Sequence, residues 1–172
     1  MDFFQFISKY GWLLFIAFTF LVVFQLKKTS SKHIIHNPNL EPSYKNLIKG
    51  VILFYNIPWF IMGFGNLTQM THSIFEYFNP KLLNPVVLTF HVVLVLLWIL
   101  NLWWIYAKKG AEFLEKHPGL IQISSFNGKR NVSAKQIKLL APLMILGGLI
   151  TMILMWTGYF DVPLNNLKQL TW

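Results

Sequence analysis

The sequence contains no cysteine. Disulfides, thiolate catalysis and Cys-ligated zinc or iron–sulfur centres are therefore excluded. Acidic side chains are nearly as scarce. Six Asp and Glu stand against fifteen Lys and Arg, and Arg130 is the one arginine. Charge of either sign is missing from four apolar runs, about 10–26, 50–67, 85–106 and 139–160. Without Asp, Glu, Lys or Arg in those runs, a carboxylate proton relay, a voltage sensor and most ion-coupled transport lack their parts. No TVGYG filter, no H-E-x-x-H and no Ser/His/Asp or paired-carboxylate arrangement is found. The chain reads as non-enzymatic, with no metal site expected.

What is present points to lipid. The chain is 172 residues long, 55% hydrophobic and 12% charged, with a mean hydropathy of +0.49, which is too apolar for an ordinary soluble domain. The net charge of +9 does not form a stripe of the kind that binds nucleic acid, and none is expected as a partner. The lysines cluster beside apolar spans, where anionic lipid headgroups account for them.

Pro85–Tyr106 is the best-defined span. It holds no charge over about 22 positions, ~33 Å as a helix, the thickness of a bilayer core. Asn84 caps its start and Pro85 occupies a position that needs no N–H. Trp103, Trp104 and Tyr106 form an interfacial belt before Lys108 and Lys109. The first span, about 10–26, extends back to Phe3 if Lys9 snorkels to the interface. Its basic residues follow the apolar run, so it reads as an anchor, not a cleaved signal. The second span, 50–67, contains Pro58, expected to kink it. Trp12, Trp156 and Tyr159 complete the opposite aromatic belt.

The connections are legible too. Pro38 and Pro42 are expected to keep Asn37–Glu41 out of helix. Ser73-x-x-Glu76 has capping-box spacing, predicting a short interfacial helix over Ser73–Phe78 in the outer loop 68–84. The third helix is expected to run on to Lys116 and stop before Pro118-Gly119. Asn127-Gly128 is a weak hairpin signal, and Ser133-x-x-Gln136 a second capping box opening the fourth helix.

Lysine placement gives the orientation. Segments 27–49 and 107–138 carry twelve of the fifteen basic residues, the others being Lys9, Lys81 and Lys168. Both segments are thus expected in the cytoplasm and both termini outside. The expected architecture is all-α: a single polytopic domain over residues 1–172, a four-transmembrane-helix bundle. Its expected location is a bacterial inner membrane.

Polar residues inside the spans are the candidate site. By helical rise, Asn56 and Asn101 lie at similar depth, ~10 Å from the basic boundary, and are expected to hydrogen-bond across neighbouring antiparallel helices. His91 lies ~9 Å from the opposite boundary, level with Gly63, Gly65 and Thr151. Either the helices close up there, with His91 donating to a backbone carbonyl or to Thr151, or a ligand pocket opens. Haem ligation through His91 would need a second ligand at matching depth, for which only His72 and Met155 are in reach. His33 and His36, spaced i, i+3, with His117 on the same side, are weak as a metal set without carboxylates. Asn66-Leu-Thr68 and Asn131-Val-Ser133 fit the glycosylation tripeptide, which matters only in a eukaryotic secretory pathway.

Three functions remain on these grounds. The first is an accessory or partner-binding subunit of a membrane complex, its partner another protein or a second copy. The second is a lipid or small-molecule bundle built around His91, Gly63 and Gly65. A haem protein is the third. Gly147-Gly148 and Thr151 would permit a close helix crossing inside the bundle or against another chain.

Overall fold

The computed structural model describes residues 3–125 and 128–159. Four of its helices are long and apolar enough to cross a membrane. α1 spans Phe3–His36, α2 Glu41–Leu67, α3 Pro85–Ala107 and α5 Ala134–Thr157, with the short α4, Gly110–Lys116, between α3 and α5. A two-stranded antiparallel hairpin, β1 Gln122–Ser125 with β2 Gly128–Asn131, precedes α5. It pairs Gln122 with Asn131 and Ser125 with Gly128. Asn127 of the turn signal lies outside the described residues, as do Phe160 and the tail to Trp172.

α1 and α2 both run past the expected spans. α1 is 34 residues long, ~51 Å, against a bilayer core of ~30 Å. Its basic segment from Lys27 to His36 is helix, not loop, because nothing in KKTSSKHIIH breaks one. Asn37 leaves the helix with extended backbone, as the following proline requires. Glu41, however, is helical and opens α2, with Pro42 in the first turn, where no N–H is needed. The two helices therefore form one long antiparallel pair closed by the 3-10 turn Pro38–Leu40.

Gly11, Thr19, Val23 and Ser30 are buried on α1; at Gly11 it is Ile74 of the loop 68–84 that approaches, 2.6 Å from where a Cβ would lie. Thr19 and Ser30 return their hydroxyls to their own helix, at Phe15 O and Lys27 O, so neither leaves an unmet donor in an apolar interface. Pro58 does not interrupt α2, which is continuous from Glu41 to Leu67.

Two other boundaries differ from expectation. α3 ends at Ala107, and α4 starts as a separate helix after Lys109, whose φ of 55° is left-handed. The predicted continuation to Lys116 is broken there. The Ser73 capping box forms, but the turn it opens is 3-10, Ile74–Phe78. Asn84 and Ser133 cap α3 and α5 as their spacing predicts, accepting from Val86 N and Gln136 N.

One apolar core lies at the end of the bundle that carries the loop 68–84. It joins Met62, Ile74, Tyr77, Val86, Val87 and Phe90, with Trp12 and Trp59 against it. A second, smaller one joins Ile105, Ala111, Val132 and Ile137 at the basic end. α5 contributes little to the first: none of its most apolar stretch is buried within the chain.

Candidate functional site

Gly63 and Gly65 are where aromatic groups approach α2. A Cβ on Gly63 would lie 2.7 Å from the Trp12 ring. One on Gly65 would meet the Tyr77 hydroxyl and Thr71 Oγ1. Both spaces are filled by side chains, Trp12 of α1 at Gly63 and Tyr77 and Thr71 of the loop 68–84 at Gly65. His91 is buried, with Nδ1 2.9 Å from Val87 O. A carbonyl only accepts, so Nδ1 carries the proton and Nε2 is left as an acceptor. That Nε2 is buried and has no partner, and the same holds for the Trp12 indole N–H. Thr151 does not answer His91; it is exposed on α5 and donates to Gly147 O at 3.0 Å. Phe90 and Trp156 close edge-on around the imidazole, at 5.6 and 6.2 Å between ring centroids.

A polar network that the sequence did not announce ties the loop 68–84 to the helix ends. Asn66 Nδ2 donates to Lys9 O at 2.9 Å, and Thr71 Oγ1 donates to Asn66 Oδ1 at 2.7 Å. Tyr77 OH donates to Met62 O at 3.3 Å, and Ser8 Oγ to Ser73 Oγ at 2.8 Å. Burial pushes the Tyr77 phenol above its ordinary pKa of 10.0, keeping it protonated as a donor. Asn66 is thus committed and buried, which removes the first glycosylation tripeptide from consideration. The available signal was Asn66 itself, a polar residue closing an apolar helix.

The Asn56–Asn101 bond does not form. Asn56 is buried, donates from Nδ2 to its own helix at Ile52 O (2.8 Å), and keeps an unpartnered Oδ1. Asn101 is exposed on α3. Neither level nor face matches: Val86 lies against Gly65 and Phe90 against Trp59, a register that leaves Asn101 about two turns away from Asn56, and Asn56 turns to the side where Phe20 of α1 lies. Rise per residue places a residue along its own helix; register and rotation between helices are not contained in it.

At the basic end, histidines gather without becoming a metal site. His117 is buried and stacked on Phe113 at 4.0 Å, with Nδ1 2.6 Å from Phe113 O. Tyr44 lies edge-on to it and donates to Pro118 O at 2.8 Å. His33 approaches Gly119, whose φ of 88° lets the chain turn under α1. His36 bonds back to Lys32 O. Among the described residues no group of three or more His, Cys, Asp or Glu could hold a metal. For haem, His72 is exposed, its backbone N–H held by Glu76. Met155 lies on α5, whose packing at that level is sparse.

Comparison with protein-family models, with curated proteins and with solved structures finds no match. Chemistry must therefore be judged from the residues alone. The arrangement offers hydrogen-bond acceptors, aromatic edges and small-residue surfaces, and among the described residues it brings no nucleophile and base together.

Proposed function

We propose that this chain is a non-enzymatic, multi-pass membrane protein that acts by packing α5 against a transmembrane helix of another polypeptide. The observation that carries this is Gly147. Space beside Gly148 is filled by Trp98, whereas nothing lies within 4 Å of a Cβ on Gly147. Leu140, Met144, Gly147 and Thr151 follow one another along an exposed side of α5. A glycine and a threonine one turn apart let a second backbone approach closely, and in lipid van der Waals contact at such places drives helix association. Against lipid tails alone a glycine offers no packing advantage.

In this reading the basic segments face the cytoplasm and hold anionic headgroups, with both termini outside. A ligand pocket at His91 has less support, because Trp12 and Tyr77 fill the spaces beside the two glycines. The absence of cysteine makes the test direct. Single cysteines at Gly147 or Thr151 are expected to cross-link to a partner in the native membrane. Cysteine at Trp98, which faces Gly148 inside the chain, is the negative control. Equal cross-linking from all three positions would contradict the assignment.

A further inference from the structure

α5 is held firmly at its start and loosely beyond it. Ser133 caps its first turn, Ile137 is buried with Ile105, Ala111 and Val132, and Lys138 pairs with Glu112 at 2.6 Å. Ile137 is the sole buried residue of the helix. Pro142 follows, inside the helix. Proline has no N–H to give the carbonyl four residues back, here Lys138 O, and its ring crowds that oxygen. The freed carbonyl takes its hydrogen bond from outside the helix, from the Tyr106 hydroxyl of α3 at 2.6 Å. One rung of the ladder between the clamped turn and the rest is thus missing, the usual origin of a bend. Beyond Pro142, contact with the rest of the chain is slight. The Trp98 ring lies beside Gly148, and Trp156 stands edge-on to His91. His91 gives α5 no hydrogen bond, since its Nδ1 is spent on Val87 O and its Nε2 has no partner. At the far end Lys81 Nζ, from the 3-10 turn Pro80–Leu82, donates to Thr157 O at 2.7 Å. That is a last-turn carbonyl, which a helix leaves unbonded, and a cation is favoured there.

We infer that α5 is a hinged arm: the part from Pro142 to Thr157 swings on Pro142 away from α3, and Lys81 is the clasp that holds its far end. From Pro142 to Thr157 the helix is a lever of ~22 Å, so a bend of about 20° carries its tip ~8 Å. The Tyr106 bond persists through the swing, because Lys138 O stays with the clamped turn. A swung arm leaves Trp98 and exposes Gly148 beside Gly147, which widens the surface a partner helix meets. The clasp then sets how often that wider surface is presented, and a partner that prefers it shifts the population. This use of the hinge rests on α5 being an interface; the swing itself does not, and it is measured on the chain alone.

The test is pulsed electron–electron distance measurement on the full chain in lipid nanodiscs, with the spin labels on introduced cysteines. One sample carries Phe64→Cys on α2 and Ile153→Cys on the arm; a second carries Leu53→Cys on α2 and Leu139→Cys, which precedes Pro142. All four positions are exposed. The Phe64–Ile153 pair is expected to show two populations, the longer by about 6 Å, and the Leu53–Leu139 pair only one. Lys81→Met is expected to raise the longer population about threefold. Pro142→Leu restores the missing N–H and is expected to abolish it. A Phe64–Ile153 distribution that Lys81→Met leaves unchanged would overturn the proposal. So would a longer population that persists in Pro142→Leu, or a Leu53–Leu139 distance that lengthens with the other, which would mean that α5 moves whole. Partner cross-linking at Gly147 plays no part in this readout, so the hinge and the interface fail separately.

Discussion

Glycines separate the two kinds of surface this protein has. Gly65→Ala places a methyl against the Tyr77 hydroxyl, Thr71 and Val86, and should cost about 1–3 kcal/mol through overpacking. Gly147→Ala meets nothing and should hold stability or raise it by up to about 1 kcal/mol through helix propensity; thermal unfolding of the purified variants compares them. Equal losses would mean that the close approach at Gly65 is not what holds the loop 68–84. Helical rise alone misplaced Gly65, which lies against Val86, five residues before His91. That Trp12 and Tyr77 fill the space was not legible, since one comes from a distant helix and the other from a loop. Trp12 reads in sequence as an interfacial anchor, and in the structure it also packs on α2.

At the scale of elements, local chemistry was the reliable guide. Asn84, Ser133 and the Ser73–Glu76 pair all cap as their spacing predicts, because a cap is settled within one turn of chain. Ser133→Ala should destabilise the fold by about 1 kcal/mol, measurable as a lowered unfolding midpoint. Helix ends set by the absence of a breaker were harder to read: polarity suggested a loop after Leu26, yet lysine, serine and threonine continue a helix where a neighbour supports it. The break at Lys109 was not legible, as lysine is an unusual residue for left-handed backbone.

α4 and α5 are joined by the Glu112–Lys138 ion pair at 2.6 Å. That hydrogen bond, aided by backbone N–H and the nearby Lys109, holds the Glu112 carboxyl below its ordinary value of 4.5. A depressed carboxyl pKa stabilises the fold above the unfolded value and loses that contribution as the pH falls through the folded one. The gap in thermal stability between wild type and Glu112→Gln should therefore be present at neutral pH and close as the pH falls below about 4.5. A constant gap would show that the carboxylate charge is not involved.

For the whole molecule, the four apolar helices and their order were legible from hydropathy because each is continuous and uncharged over a bilayer's thickness. Their mutual register and rotation were not. The Asn56–Asn101 pair failed for this reason, and the openness of α5 was invisible for the same one. Topology is open to a direct check. Single cysteines at Ser31 and Met70, at opposite ends of the bundle, should label from opposite sides of the membrane, Ser31 from the cytoplasmic side. Labelling of both from one side would refute the proposed orientation.

Association through α5 is tested most directly by native mass spectrometry of the protein extracted from its own host. Wild type and Gly147→Leu would be compared. The account predicts a stoichiometric second polypeptide on the wild type, lost from Gly147→Leu while that variant remains a folded monomer. A wild-type chain carrying no other polypeptide, or a partner equally retained by Gly147→Leu, would contradict it.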